Sequence, residues 1–127
     1  MTTNPVAFGA YSATDPAAKT GRGDVLVQCS CTFLDCVEFS YGLDVQSGGS
    51  GSVSNRRMAR LGGSDTLQYQ LYTEAPGISA WVTPRTQLFL LADYGSGQTV
   101  YVYGRVAPGQ AVAAGSYTDN LTVVITF

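Results

Sequence analysis

Apolar and polar residues alternate with a period of two along most of the chain, which predicts β-strands with one buried and one wet face. The alternation is complete from Val37 to Val45. Val37, Phe39, Tyr41, Leu43 and Val45 point one way, and Glu38, Ser40, Gly42, Asp44 and Gln46 the other. The same rhythm covers Val25, Val27, Cys29 and Cys31, then Leu67, Tyr69 and Leu71, then Val100, Val102 and Val106. It returns at the C-terminus in Tyr117, Leu121, Val123, Ile125 and Phe127, and a shorter strand is expected from Val6 to Tyr11. Turn material separates these runs: Gly48-Gly49-Ser50-Gly51-Ser52, Gly62-Gly63-Ser64, Ala75-Pro76-Gly77, Gly95-Ser96-Gly97 and Ala107-Pro108-Gly109. No convincing amphipathic helix stands out; Ser54 to Leu61 has room for one helical turn, with Met58 and Leu61 as its apolar side. Many short strands with regular punctuation predict an antiparallel sandwich or barrel. With 127 residues, no internal repeat and no long linker, the chain reads as one domain, residues 1–127.

One segment breaks the alternation. Leu88-Phe89-Leu90-Leu91-Ala92 is continuously apolar. The preferred reading is a strand covered on both faces, or an irregular edge strand filling a corner of the core. The sharper alternative is an exposed adhesive patch, with Trp81, Leu88, Phe89, Leu90 and Leu91 as candidate surface contacts.

Composition narrows the function. Charged residues make up only 13% and the net charge is −2, so no basic excess is available to neutralise phosphates and nucleic-acid binding is disfavoured. With no histidine, the Ser-His-Asp and Cys-His nucleophile pairs are excluded and zinc loses its commonest ligand. The single lysine, Lys19, stands in Ala-Ala-Lys-Thr and fits no phosphate loop. The chain is therefore read as non-enzymatic and without a cofactor or metal. No apolar stretch approaches the eighteen or so residues of a membrane span. The polar start, Met-Thr-Thr-Asn-Pro, shows no signal peptide. The chain is thus expected to be cytosolic or to have lost an export signal, and its 15 glycines and low charge favour export.

Three cysteines lie close together. Cys31 and Cys36 are spaced to close a small loop, which leaves Cys29 unpaired or paired to a segment absent from this sequence; three buried thiols are the plain alternative. Arg56, Arg57 and Arg60 form the one basic cluster and are read as a solvated loop, with Arg57 available to pair with a carboxylate. Asp35, Glu38 and Asp44 match no calcium loop and are read as surface charge. Tyr101, Tyr103 and Trp81 suggest a sugar platform, although aromatics on strands more often make cross-strand pairs. Asn120-Leu121-Thr122 is a glycosylation sequon, a pattern common by chance.

Six fragments, in order, carry a resemblance. They are Phe8-Gly-Ala-Tyr11; Val25-Leu-Val-Gln-Cys29; Tyr41 to Ser52; Arg57-Met58; Leu67-Gln-Tyr-Gln-Leu-Tyr-Thr73; and the stretch from Val100 to Phe127 that includes Tyr103-Gly104-Arg105 and Tyr117-Thr-Asp119. Together they resemble the spore coat protein U domain, the pilin domain of archaic chaperone–usher pili, over nearly the whole chain. The resemblance implies an incomplete immunoglobulin-like β-sandwich lacking its last strand. It implies a structural subunit of an extracellular fibre or spore coat, tied to adhesion and biofilms and assembled by donor-strand complementation. The implied partners are neighbouring subunits, a periplasmic chaperone and an outer-membrane usher. The implied groove lies beside the C-terminal strand and is lined by Leu121, Val123, Ile125 and Phe127. Arg57, Tyr103, Gly104, Arg105, Tyr117 and Asp119 fall in its structural motifs, with Arg105 and Asp119 expected to fix adjacent strands by an ion pair or hydrogen bonds. The sequence departs from the family in three places. No cysteine precedes Phe8, Val82-Thr83-Pro84 replaces Gly-Asp-Gly after Trp81, and no donor extension precedes Asn4. A tip adhesin and a self-contained coat protein that never polymerises are the alternatives.

Overall fold

The computed structural model describes residues 1–32, 35–74 and 79–127. The turn expected at Ala75-Pro76-Gly77 lies outside them. The elements are β1 (Thr2–Asn4), β2 (Lys19–Val27), β3 (Phe39–Val45), β4 (Arg56–Arg60), β5 (Thr66–Tyr72), β6 (Arg85–Phe89), a 3₁₀ turn (Leu91–Asp93), β7 (Gln98–Val106), β8 (Tyr117–Thr118) and β9 (Val123–Thr126). They form two antiparallel sheets, one ordered β1-β2-β7-β5-β4-β8 and the other β6-β3-β9. The period-two side chains close the space between them. Val25, Val27, Leu67, Leu71, Val100 and Val102 of the larger sheet join Tyr41, Leu43, Val45 and Phe89 of the smaller in one buried core.

Where the structure departs from the periodicity, packing is the reason. Ser54 to Leu61 is not a helical turn: β4 pairs with β5, Arg56 opposite Tyr69 and Met58 opposite Leu67. Arg56 and Met58 point inward while Arg57 and Ala59 face out, so the period is two with an arginine at a core position. Leu61 lies beyond the strand and is exposed. The strand expected from Val6 to Tyr11 is absent except for a single bridge, Tyr11 with Gly115. The strand at this end is β1, which pairs with β2. Val37, Cys29 and Cys31 lie outside the strands assigned to them. The apolar run is an edge strand turning into the 3₁₀ turn, with Phe89 in the core and Leu88, Leu90 and Leu91 exposed.

The N-terminal segment fills a trough that the sheet leaves open. Gly21, Gly23 and Gly104 occupy inward positions of β2 and β7 and supply no side chains there. Val6 and Phe8 pack in their place. A Cβ on Gly23 would stand 2.6 Å from the Asn4 carbonyl oxygen and 2.9 Å from the Val6 nitrogen. Both are backbone atoms, so the segment itself must move. Strand propensity alone favours alanine over glycine, and the clash reverses the sign. Gly23→Ala is expected to lower the unfolding free energy by about 1–3 kcal/mol, read from the urea midpoint. An unchanged midpoint would show that residues 4–8 do not seat here.

Candidate functional site

The two sheets do not close along one side. A cleft of about 610 Å³ opens there. One lip is the N-terminal segment, including Pro5, Val6, Ala7 and Phe8; the other is the C-terminal passage through Asp119, Asn120, Leu121 and Val123. Its floor is apolar, formed by Val25, Val45, Met58, Leu71 and Val102. Among the described residues, neither lip has a β-partner on the cleft side. β9 pairs only with β3, as the last strand of its sheet, and residues 5–10 belong to no strand. An edge whose N–H and C=O groups lack partners invites another strand. Natural edges are commonly blunted by lysine or proline, and residues 121–127 contain neither.

Of the four groove candidates, Leu121 and Val123 line the cleft. Ile125 packs half-buried against the core. Phe127 is 83% exposed, its ring 5.9 Å from that of Phe39.

A polar network forms part of the cleft wall, where Tyr69 and Asp119 both line it. The Tyr69 hydroxyl donates to the Asp119 carboxylate at 2.5 Å, and the Gly49 N–H donates to its other oxygen at 2.9 Å. Burial and then the Asp119 carboxylate push the Tyr69 hydroxyl well above the usual tyrosine range, so it remains a donor. Phe8 meets Tyr69 edge-on, with ring centroids 6.2 Å apart. Beneath lies Arg56, 0% exposed. Its Nη2 donates to the carbonyls of Val45 (2.8 Å) and Trp81 (3.0 Å), Nη1 to Gln46 (2.7 Å) and Nε to the Gln70 amide oxygen (3.2 Å). Desolvation lowers its pKa, opposed by Tyr69, Asp119 and Asp44.

Several candidates are corrected. Arg56 is not part of a solvated loop; it fastens β3, β4 and β5 to the backbone at Trp81. Trp81 is 1% exposed and Phe89 0%, so neither is a surface contact, and Trp81 belongs to no sugar platform. Of the other two platform residues, Tyr101 carries the Arg22 guanidinium 4.5 Å from its ring centroid, and the Tyr103 ring lies 6.4 Å from that of Tyr101. Asp119 binds Tyr69 and Gly49, and among the described residues it makes no ion pair with Arg105, which is exposed opposite Thr20 and Gln70. Arg57 is exposed, Tyr103 is half-buried opposite Arg22 and Tyr72, and Gly104 belongs to the trough. Tyr117 donates to the Ala113 carbonyl. Asp35 accepts from the Thr32 hydroxyl, and Glu38 from the Leu91 N–H at 3.3 Å. Cys31 and Cys36 are disulfide-bonded with Cα atoms 5.3 Å apart, and Cys29 is a half-buried free thiol. Sequence reasoning missed Tyr69, Val6 and the trough; the signal was three glycines at inward strand positions, where a core needs filling from elsewhere.

The model of the Spore Coat Protein U domain matches residues 1–124. The chain belongs to this family. Protein U of Myxococcus xanthus is 32% identical over 107 residues, 84% of this chain, and the match spans 60% of that protein's length. A chain in the solved structure titled "Chaperone-tip adhesin complex is vital for synergistic activation of CFA/I fimbriae biogenesis" superposes with a TM-score of 0.58. It is 14% identical, and the match covers 95% of this chain and 38% of that one. That likeness shows the fold: an all-β, immunoglobulin-like sandwich. The spore coat protein U family is one of pilus and coat subunits rather than enzymes.

Proposed function

We propose that this spore coat protein U domain is a subunit of an extracellular fibre or coat, completed by an extended strand from another chain inserted into the cleft. The observation that carries the reading is the cleft itself: a free strand edge on one lip, an unpaired segment on the other and an apolar floor between them. An inserted strand gains backbone hydrogen bonds from the lips and places alternate apolar side chains on the floor. On this reading a periplasmic chaperone supplies that strand before assembly and an outer-membrane usher receives the subunit, a scheme that membership of a pilus and coat subunit family supports. The exposed Leu88, Leu90 and Leu91 favour a second reading, a surface-binding subunit in which they contact the target while the cleft joins subunits.

The test is a near-UV circular dichroism melt, with buried Trp81 as the probe. Alone, the chain is expected to melt broadly. A synthetic peptide of about twelve residues alternating valine and threonine should sharpen the transition and raise its midpoint. A sharp melt of a confirmed monomer, unmoved by peptide, would establish a self-contained coat domain instead.

A further inference from the structure

The lips of the cleft belong to opposite ends of the chain, yet one line of contacts joins them. Val6 and Phe8 sit in the glycine trough. Phe8 meets the edge of the Tyr69 ring. The Tyr69 hydroxyl holds Asp119, which begins the passage to Leu121 and Val123. Asp119 is held from the other side by the Gly49 N–H, and Gly48 leaves room for it: a Cβ on Gly48 would stand 2.6 Å from the Asp119 carboxyl carbon. The φ of Gly48 is not positive, so this glycine is required by space and not by backbone conformation.

We infer that Tyr69 and Asp119 are positioning residues that hold the two lips at the separation of a single inserted strand. The purpose rests on the strand-capture reading; the brace itself does not. A strand hydrogen-bonded on both sides needs lips about 9.5 Å apart, twice the ~4.8 Å strand spacing. Lips set wider lose the hydrogen bonds on one side, and lips set closer shut the strand out. Tyr69 and Asp119 both line the cleft, so the brace is part of its wall.

The test is hydrogen exchange by mass spectrometry on the wild-type chain, Tyr69→Phe and Asp119→Ala. Tyr69→Phe keeps the ring that seats Phe8 and removes only the hydroxyl, so the sandwich stays folded. Amides of residues 6–11 and of 119–123 should exchange about tenfold faster in both variants, the effect of one hydrogen bond to a charged group, while β2 and β7 amides are unchanged. If only the lip next to the altered side chain speeds up, the brace is overturned. A mutant cycle adds a second reading. Gly48→Ala should be harmful in the wild-type chain and near-neutral in Asp119→Ala, whereas additive effects would mean that Gly48 does not seat the carboxylate. Fluorescence anisotropy with the labelled valine–threonine peptide separates the two ideas. Peptide binding about tenfold weaker in Tyr69→Phe, with the near-UV signal of Trp81 retained, supports the brace, and unchanged binding counts against it. Failure of the wild-type chain to bind the peptide defeats strand capture and leaves the brace to the exchange data.

Discussion

Arg56→Ala is expected to lose about 4 kcal/mol of unfolding stability, a large share of the ~5–15 kcal/mol that holds a domain together. The guanidinium is fully buried and donates to three backbone carbonyls and the Gln70 amide oxygen. Its removal leaves four acceptors without their donor, each costing about 1–3 kcal/mol where water cannot reach, and a cavity adds to the loss. Release of the cost of burying a charge offsets part of this. Arg56→Lys should recover only a fraction, because an ammonium cannot reach four acceptors laid out for a planar fork. Urea unfolding followed by Trp81 fluorescence reads the effect directly. A loss below about 1 kcal/mol would mean that the carbonyls of Val45, Gln46 and Trp81 find other donors.

The largest functional effect is expected at Val123. Its side chain lines the cleft from β9, opposite Val45 on β3. In the chain alone the position is half-exposed, so an aspartate there keeps its water and stability falls by about 1 kcal/mol or less. Once a strand covers the cleft, the carboxylate is stripped of water over an apolar floor, at a cost of several kcal/mol. Val123→Asp should therefore weaken strand capture by at least about a hundredfold and abolish chaperone capture and fibre growth, with near-normal folding. The check is anisotropy with the valine–threonine peptide, alongside co-purification with a chaperone and electron microscopy of fibres. Unchanged capture by this variant would remove the cleft from the assembly mechanism. Arg56 and Val123 should thus separate two properties: one change is expected to weaken the sandwich, and the other to spare it and block the proposed strand insertion.

Much of the fold was legible in the chain because β-structure writes itself locally. Strands β2, β3, β5, β7 and β9 follow the period-two pattern, since successive side chains must face opposite sides of a sheet. β4 escaped that logic because one of its two buried residues is an arginine, and the carbonyls of Val45, Gln46 and Trp81 with the Gln70 amide oxygen make it a core residue. Trp81 was indistinguishable from a surface aromatic for the same reason: the backbone that encloses it is distant in sequence. In the cleft, Leu121 and Val123 were legible as an apolar set from alternation and as groove residues only through the family resemblance, whereas the opposite lip was not legible at all. Val6 and Phe8 read as an ordinary strand, and only the glycines of β2 and β7, brought side by side by their pairing, show that they fill a trough.

The sequence by itself therefore determined the all-β class, the inward set of most strands, the family and the absence of histidine-based chemistry, all of which depend on neighbours in the chain or on residue inventory. The tertiary structure alone decided which edges stay open, where the buried arginine finds its acceptors and why Asp119 meets Tyr69 rather than Arg105. Those outcomes depend on strand order and register, which bring together groups tens of residues apart. Local periodicity carries no record of that distance.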